Sequence, residues 1–275
     1  MVITADDFGV AVAVNQAVET AHRDGVLTAA SLMVGAAASS DAVDRARRLP
    51  SLRVGLHLVL ADGRPVLPAG AVPHLVGKDG CFRPGMAAAG ATMFFHPSAR
   101  RELAAEIEAQ FRAFQATGLA LDHVNAHKHF HLHPTVAGLV IRIGARFGAR
   151  AVRVPIEPRD PLRGAGRKGA MPIFGALTKL TRARFRRAGW CAPDQVFGLR
   201  WSGAITQPRL ERLIRALPSG LSEIYLHPAI ADDFVGAADG YRYREELAAL
   251  TDLDVRETLN KTGARMGGFV DFLER

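Results

Sequence analysis

The stretch Leu119-Ala-Leu-Asp-His-Val-Asn-Ala-His-Lys-His-Phe-His-Leu-His-Pro134 decides how this 275-residue chain is read. It begins as a short apolar run of the kind that forms a buried strand, becomes histidine-rich, and ends at Pro134, a residue suited to the first turn of a helix. Val136, Leu139, Val140 and Ile143 carry that helix to about Gly148. The polar residues therefore lie between a strand end and a helix start, where parallel α/β folds place their working groups. Five of the ten histidines fall between Asp122 and Pro134. In extended backbone His123, Asn125, His127, His129, His131 and His133 would share one face. Imidazoles so arranged suit zinc, nickel, iron or cobalt. A surface tract that binds metal only incidentally has the same composition, but the position at a strand end argues for a site. Since a catalytic metal keeps about three protein ligands and an open position, most of these histidines are expected to bind substrate or support the ligands.

The same rhythm extends in both directions. Val2 to Ala5, Leu27 to Val34, Arg53 to Leu60, Ala151 to Pro155, Gln195 to Arg200 and Leu221 to His227 read as further strands, with helical patterns between them. Ala11 to Asp24 places Asn15, Ala17, Val18 and Ala21 on one face, and Arg100 to Gln115 carries Leu103, Ile107, Phe111 and Phe114 as an amphipathic stripe. Repeated β then α without a long linker predicts a parallel sheet, open or closed, in one domain spanning residues 1–275. Asp62 to Pro97 is too long for an ordinary connection and is expected to be an active-site loop or cover, and Ile156 to Ala170 reads as a second irregular, basic insertion.

Composition limits the alternatives. Hydrophobic residues at 48% and charged residues at 23% describe a globular core rather than a disordered chain. No apolar run approaches the roughly 18 residues of a membrane span. The start Met1-Val-Ile-Thr-Ala-Asp has no secretory-signal pattern, and Cys81 and Cys191 offer neither a disulfide framework nor a cysteine metal site, so a cytoplasmic protein is expected. The formal charge of +8 is uneven. Arg159, Arg163, Arg167, Lys168, Lys179, Arg182, Arg184, Arg186 and Arg187 fall in one segment, and no nucleic-acid-binding motif accompanies them.

Three more strand ends carry candidate groups. After the first strand, Asp6 and Asp7 can divide labour, one binding a metal and the other accepting a proton from an activated water; capping of the next helix is the plain alternative. His57, in Gly55-Leu-His-Leu58, is either a ligand or a hydrogen-bonded core histidine. His227, at the end of Glu223-Ile-Tyr-Leu-His-Pro228, can donate a proton to a departing amine or simply pack.

Taken in order, Thr4-Ala-Asp-Asp-Phe-Gly9, Gly55 to Leu58, His127-Lys-His-Phe-His-Leu-His-Pro134 and Leu226-His-Pro228 resemble the YdjC-like family of carbohydrate deacetylases. The resemblance implies an α/β fold of the modified TIM-like (β/α) barrel type, often dimeric, and a metal-dependent hydrolase that removes an N-acetyl group from an N-acetylglucosamine-type sugar. It makes Asp6 the general base for a metal-activated water and His227 the general acid. Asp7, His57 and His127 become the ligands of one divalent ion, while Asn125, His129 and His131 contact substrate. Magnesium is the metal usually described for the family, although an Asp-His-His set suits zinc better. Family members commonly carry aspartate where this chain has Asn125, which can orient a histidine but adds no charge. The form Asn125-Ala-His-Lys-His-Phe-His-Leu-His133 is similar to a subgroup associated with hopanoid biosynthesis, which implies a glycolipid headgroup as substrate. The mixed apolar and basic composition of Pro172 to Arg187 then suits contact with an anionic inner-membrane face, a solvated helix packed on the barrel being the alternative. A soluble chito-oligosaccharide deacetylase, a metal-dependent phosphoesterase and a metal-storage or nucleic-acid-binding module are the competing functions.

Overall fold

The computed structural model describes residues 1–83, 85, 90–92, 95–158 and 172–273, with 172–174 described as helix backbone only. Arg159, Arg163, Arg167 and Lys168 lie outside the described residues. Six strands, β1 (Val2–Phe8), β2 (Ala29–Leu32), β3 (Arg53–Leu58), β4 (Leu121–Ala126), β5 (Gln195–Phe197) and β6 (Ser222–Leu226), form one sheet in the order β4-β3-β2-β1-β6-β5. Every pairing is parallel. Parallel neighbours need crossovers, and both faces of such a sheet are covered. This explains why the strands read as nearly continuous apolar runs, with β2 and β6 buried along their whole length.

The helices are α1 (Val12–Arg23), α2 (Ser39–Arg47), α3 (Pro97–Ala116), α4 (Pro134–Gly144), α5 (Pro172–Arg187), α6 (Gln207–Arg215), α7 (Tyr243–Thr251) and α8 (Leu253–Thr262). The expected stripes face inward: Asn15, Ala17, Val18 and Ala21 from α1, and Leu103, Ile107, Phe111 and Phe114 from α3, are all buried. Each large apolar side chain removed from water there contributes roughly 1.5–3 kcal/mol. Pro134 occupies the first turn of α4, which buries Val136, Leu139, Val140 and Ile143.

Two expectations are corrected. Ala151 to Pro155 is buried but does not form a full strand; it makes only isolated bridges, Val124 to Val152 and Ala151 to Cys191. Pro155 lacks the N–H a ladder requires. The segment instead spans two edges, with Arg153 N donating to Val124 O at 3.0 Å and Val196 N donating to Ile156 O at 2.9 Å. The histidine tract is not extended either: β4 ends at Ala126 and residues His127–Leu132 form a 3-10 turn in which Lys128 and His129 have φ of 53° and 56°. Its histidines therefore point in different directions.

The long loop after β3 is tied down by α3. Glu106, fully buried, accepts from Val66 N at 2.8 Å and Leu67 N at 3.0 Å. On α5, Arg184 donates to Pro134 O at 2.7 Å and Arg186 to Asp194 at 2.8 Å, so part of the basic face holds neighbouring chain, while Leu180 is 62% exposed. No described helix is long and apolar enough to cross a membrane.

Candidate active site

Because all strands run the same way, Asp6, Asp7, His57, His127 and His227 arrive at the carboxyl-terminal end of the sheet. Adjacent strand residues ordinarily point to opposite faces. The register between β1 and β2 shifts between Ala5 and Phe8, so Asp6 and Asp7 together oppose the single residue Ser31. This bulge, with Asp7 at φ 60°, lets both carboxylates turn toward the same site. Asp7, Lys128 and His129 all hold left-handed backbone without being glycine, a conformation that costs about 1 kcal/mol or more per residue.

Asp7 Oδ1 lies 3.3 Å from His57 Nε2 and 3.2 Å from His127 Nδ1. Among the described residues, Asp7, His57 and His127 form the one group of three whose candidate ligand atoms all lie within 4.8 Å of one another. One carboxylate and two imidazoles are a suitable donor set for a transition-metal dication. Burial alone would raise the Asp7 carboxyl, but hydrogen bonds from His127 and His57 hold it well below the usual carboxylate range. For His57, burial works against protonation, and the Asp6 and Asp7 carboxylates overcome it to raise the imidazole.

Asp6 is buried beside them. Its Oδ2 pairs with Nη1 of Arg153, and its Oδ1 lies 3.3 Å from the Asn125 side-chain amide. Burial would push this carboxyl up; the Arg153 guanidinium, followed by His57, outweighs it and keeps Asp6 ionised. Arg153 is fully buried, donates to Glu223 Oε1 from Nη2 at 2.7 Å and from Nε at 2.9 Å, and lies over the Tyr225 ring at 4.3 Å. Glu223 also accepts from Thr4 Oγ1 at 2.8 Å. Arg153 went unnoticed in the sequence, although an arginine inside the apolar run Ala-Val-Arg-Val-Pro is a signal, because arginine is almost never fully buried without partners.

His227 follows β6. Its backbone N–H donates to Glu246 Oε2 at 2.5 Å, its ring meets Tyr241 edge-on at 5.1 Å, and its Nδ1 is buried without a hydrogen-bond partner. Burial lowers this histidine, with the Asp7 and Asp6 carboxylates pulling the other way. Tyr241 reaches the ring because residue 203 is glycine: a Cβ there would sit 2.2 Å from the tyrosine ring. Of the residues expected to contact substrate, Asn125 and His131 are fully buried against protein partners. His131 Nε2 donates to Arg153 O at 2.7 Å, and burial drops its pKa to about 4. His129 keeps exposed surface and lies 3.0 Å from the Tyr225 hydroxyl.

The family model for the YdjC-like protein matches residues 1–261. The chain belongs to the YdjC-like family. A carbohydrate deacetylase of Vibrio vulnificus (strain YJ016) is 33% identical over 267 residues, covering 95% of this chain and 91% of the relative. One from Geobacillus stearothermophilus is 30% identical, covering 98% and 97%. Among solved structures, a putative cellobiose-phosphate cleavage protein from Enterococcus faecalis V583 superposes with a TM-score of 0.77 at 23% identity, over 99% of this chain and 98% of that one. At that identity the likeness concerns the fold.

Proposed function

We propose that this protein, acting as one catalytic unit over residues 1–275, is a metal-dependent carbohydrate N-deacetylase. The observation that carries the reading is the convergence of Asp7, His57 and His127 beside an ionised Asp6, in a chain whose relatives are named carbohydrate deacetylases. A divalent cation held by those three side chains supplies Lewis acidity, lowering the pKa of water and polarising a carbonyl oxygen. Zinc suits the set better than magnesium, which prefers oxygen ligands.

The chain's own residues do the rest. Asp6, kept ionised by Arg153, accepts the proton of the attacking water on Oδ1, the oxygen Arg153 leaves free. Attack at the acetamide carbonyl gives a tetrahedral intermediate; the proton taken up by Asp6 passes to the His227 imidazole, and the imidazolium so formed gives it to the sugar nitrogen as the C–N bond breaks and acetate departs. His129, with surface still open beside Tyr225, contacts the sugar.

For the acceptor we favour a glycolipid carrying N-acetylglucosamine, of the hopanoid type, acted on by a cytoplasmic enzyme that rests on the inner membrane face, with a homodimer as the assembled form. Asn125 and the exposed Leu180, Lys179 and Arg187 of α5 support this reading. Two measurements test it. Asp6→Asn should cut acetate release by roughly 10³-fold while the bound metal is retained; full activity rejects the base assignment. Turnover of an N-acetylglucosaminyl lipid in vesicles should exceed that of soluble chito-oligosaccharide, and preference for the soluble sugar rejects the lipid acceptor.

A further inference from the structure

Behind the candidate ligands runs a continuous buried chain of polar side chains. Asp122 accepts from the backbone N–H groups of Phe269 and Val270, both at 3.0 Å, so the C-terminal segment fixes its carboxylate. It also accepts from His123 Nδ1 at 2.8 Å. The His123 ring is stacked on Phe269 at 4.4 Å and lies flat over β3, where a Cβ on Gly55 would come within 2.5 Å of it. This close approach accounts for the glycine of the Gly55 to Leu58 motif. With its proton on Nδ1, His123 presents a lone pair at Nε2, 3.0 Å from Ser31 Oγ. Ser31 Oγ lies 2.9 Å from Asn125 Nδ2, and Asn125 Oδ1 lies 2.6 Å from His57 Nδ1.

We propose that Asp122, His123 and Ser31 are positioning residues that set the amide orientation of Asn125, and through it the tautomer of His57. The inference rests on the metal-site reading given above, and its logic is one of proton counting. Ser31 has a single hydroxyl proton. Once that proton goes to His123 Nε2, Ser31 Oγ can only accept from Asn125, so the amide nitrogen faces Ser31 and its oxygen faces His57. His57 then keeps a proton on Nδ1, so that the nitrogen it turns toward Asp7, Nε2, is the one that gives up its proton when a cation binds. Turned over, the amide oxygen would accept from Arg153 Nη1 at 2.9 Å and from Ser31 Oγ, and its nitrogen would donate to His57 Nδ1 at 2.6 Å. His57 would then hold its proton on Nε2, closed to metal. Arg153 favours that second arrangement and the Asp122, His123 and Ser31 chain favours the first.

The test is Ser31→Ala, read by nitrogen-15 NMR of histidine-labelled, metal-free protein at a pH high enough to leave His57 neutral, and by titration with zinc chloride. We expect His57 to be protonated on Nδ1 in the wild type and to shift toward Nε2 in the variant, with zinc affinity falling by roughly 10- to 100-fold. Ser31→Ala combined with Asn125→Asp should restore the affinity, because a carboxylate accepts from His57 Nδ1 whichever way it turns; a merely destabilised fold would not be rescued in this way. Unchanged tautomer and unchanged zinc affinity in Ser31→Ala overturn the proposal. A wild type that takes up no zinc overturns the metal reading instead, while the tautomer still decides whether the relay operates.

Discussion

Asp122, His123 and Ser31 have the residue types and the hydrogen-bond order of a serine hydrolase triad, while Asp6, Asp7, His57, His127 and His227 lie one or more positions further along on the same strands or on neighbouring ones. The first set is buried and its groups are paired: both His123 ring nitrogens and both Asp122 oxygens are engaged. The second is under-satisfied. His227 Nδ1 lacks a partner, Asp7 faces two imidazoles, and His127 remains partly open. Triad order is therefore no guide to where chemistry happens; access and unfilled bonding capacity are. Substitutions in the closed set should register first as lost stability or altered positioning, and those in the open set as lost turnover.

Arg153 belongs to both descriptions and should give the largest effect. Its guanidinium neutralises buried Asp6 and Glu223 together, so Arg153→Ala strands two carboxylates inside the protein. Removing one partner of a buried ion pair typically costs about 3–5 kcal/mol. Urea denaturation should show a loss in that range, and acetate release should fall even under conditions where the variant remains folded, because Asp6 loses the charge that keeps it ionised. A variant that is as stable as the wild type would mean that the two carboxylates are not held by Arg153.

Asp122→Ala should come next and should sharpen the contrast. It leaves three donors, Phe269 N, Val270 N and His123 Nδ1, without their acceptor in a region closed to water. An unsatisfied buried group costs about 1–3 kcal/mol, with partial relaxation of the C-terminal segment reducing the sum. We expect a loss of about 3 kcal/mol, measured by thermal or urea unfolding, together with faster hydrogen exchange at Phe269 and Val270. Equal stability with lost exchange protection at His127 instead would reverse the assignment of the two regions.

How much of this was legible beforehand follows from the physics of each element. The helices α1, α3 and α4 were readable because burial of one face writes a periodic pattern into the chain, and the strand ends at Asp6, His57 and His227 were readable because a polar residue closing an apolar run stands out. The shape of the histidine tract was not. Alternation along His123 to His133 suggested an extended segment, yet the turn at Lys128 and His129 depends on packing of the tract against its surroundings, which leaves no local signature. The bulge that turns Asp6 and Asp7 the same way is likewise a product of pairing between β1 and β2. Arg153 and Ser31 escaped notice because their roles depend on residues 70 and 94 positions away, Glu223 and Asn125.

The effect that shows only when pH is varied belongs to Glu246, which lies on α7 at the boundary between the two behaviours. Fully buried, it accepts from His227 N–H through one oxygen and from Ile205 N–H at 2.8 Å through the other, and so fixes the backbone that carries His227. Burial raises its pKa from 4.5 to about 8, the two N–H donors limiting the rise. The folded protein thus holds this proton to higher pH than the unfolded chain does. Its contribution to stability is fully present below about 4.5, falls as pH rises toward 8, and is flat above that, with a slope of at most about 1.4 kcal/mol per pH unit. Glu246→Gln keeps an acceptor for one donor and removes the titration, so the stability of the variant should vary less with pH across that window than that of the wild type. Parallel stability profiles for the two proteins would show that Glu246 is ionised throughout, and that its two N–H donors, rather than its burial, govern its charge.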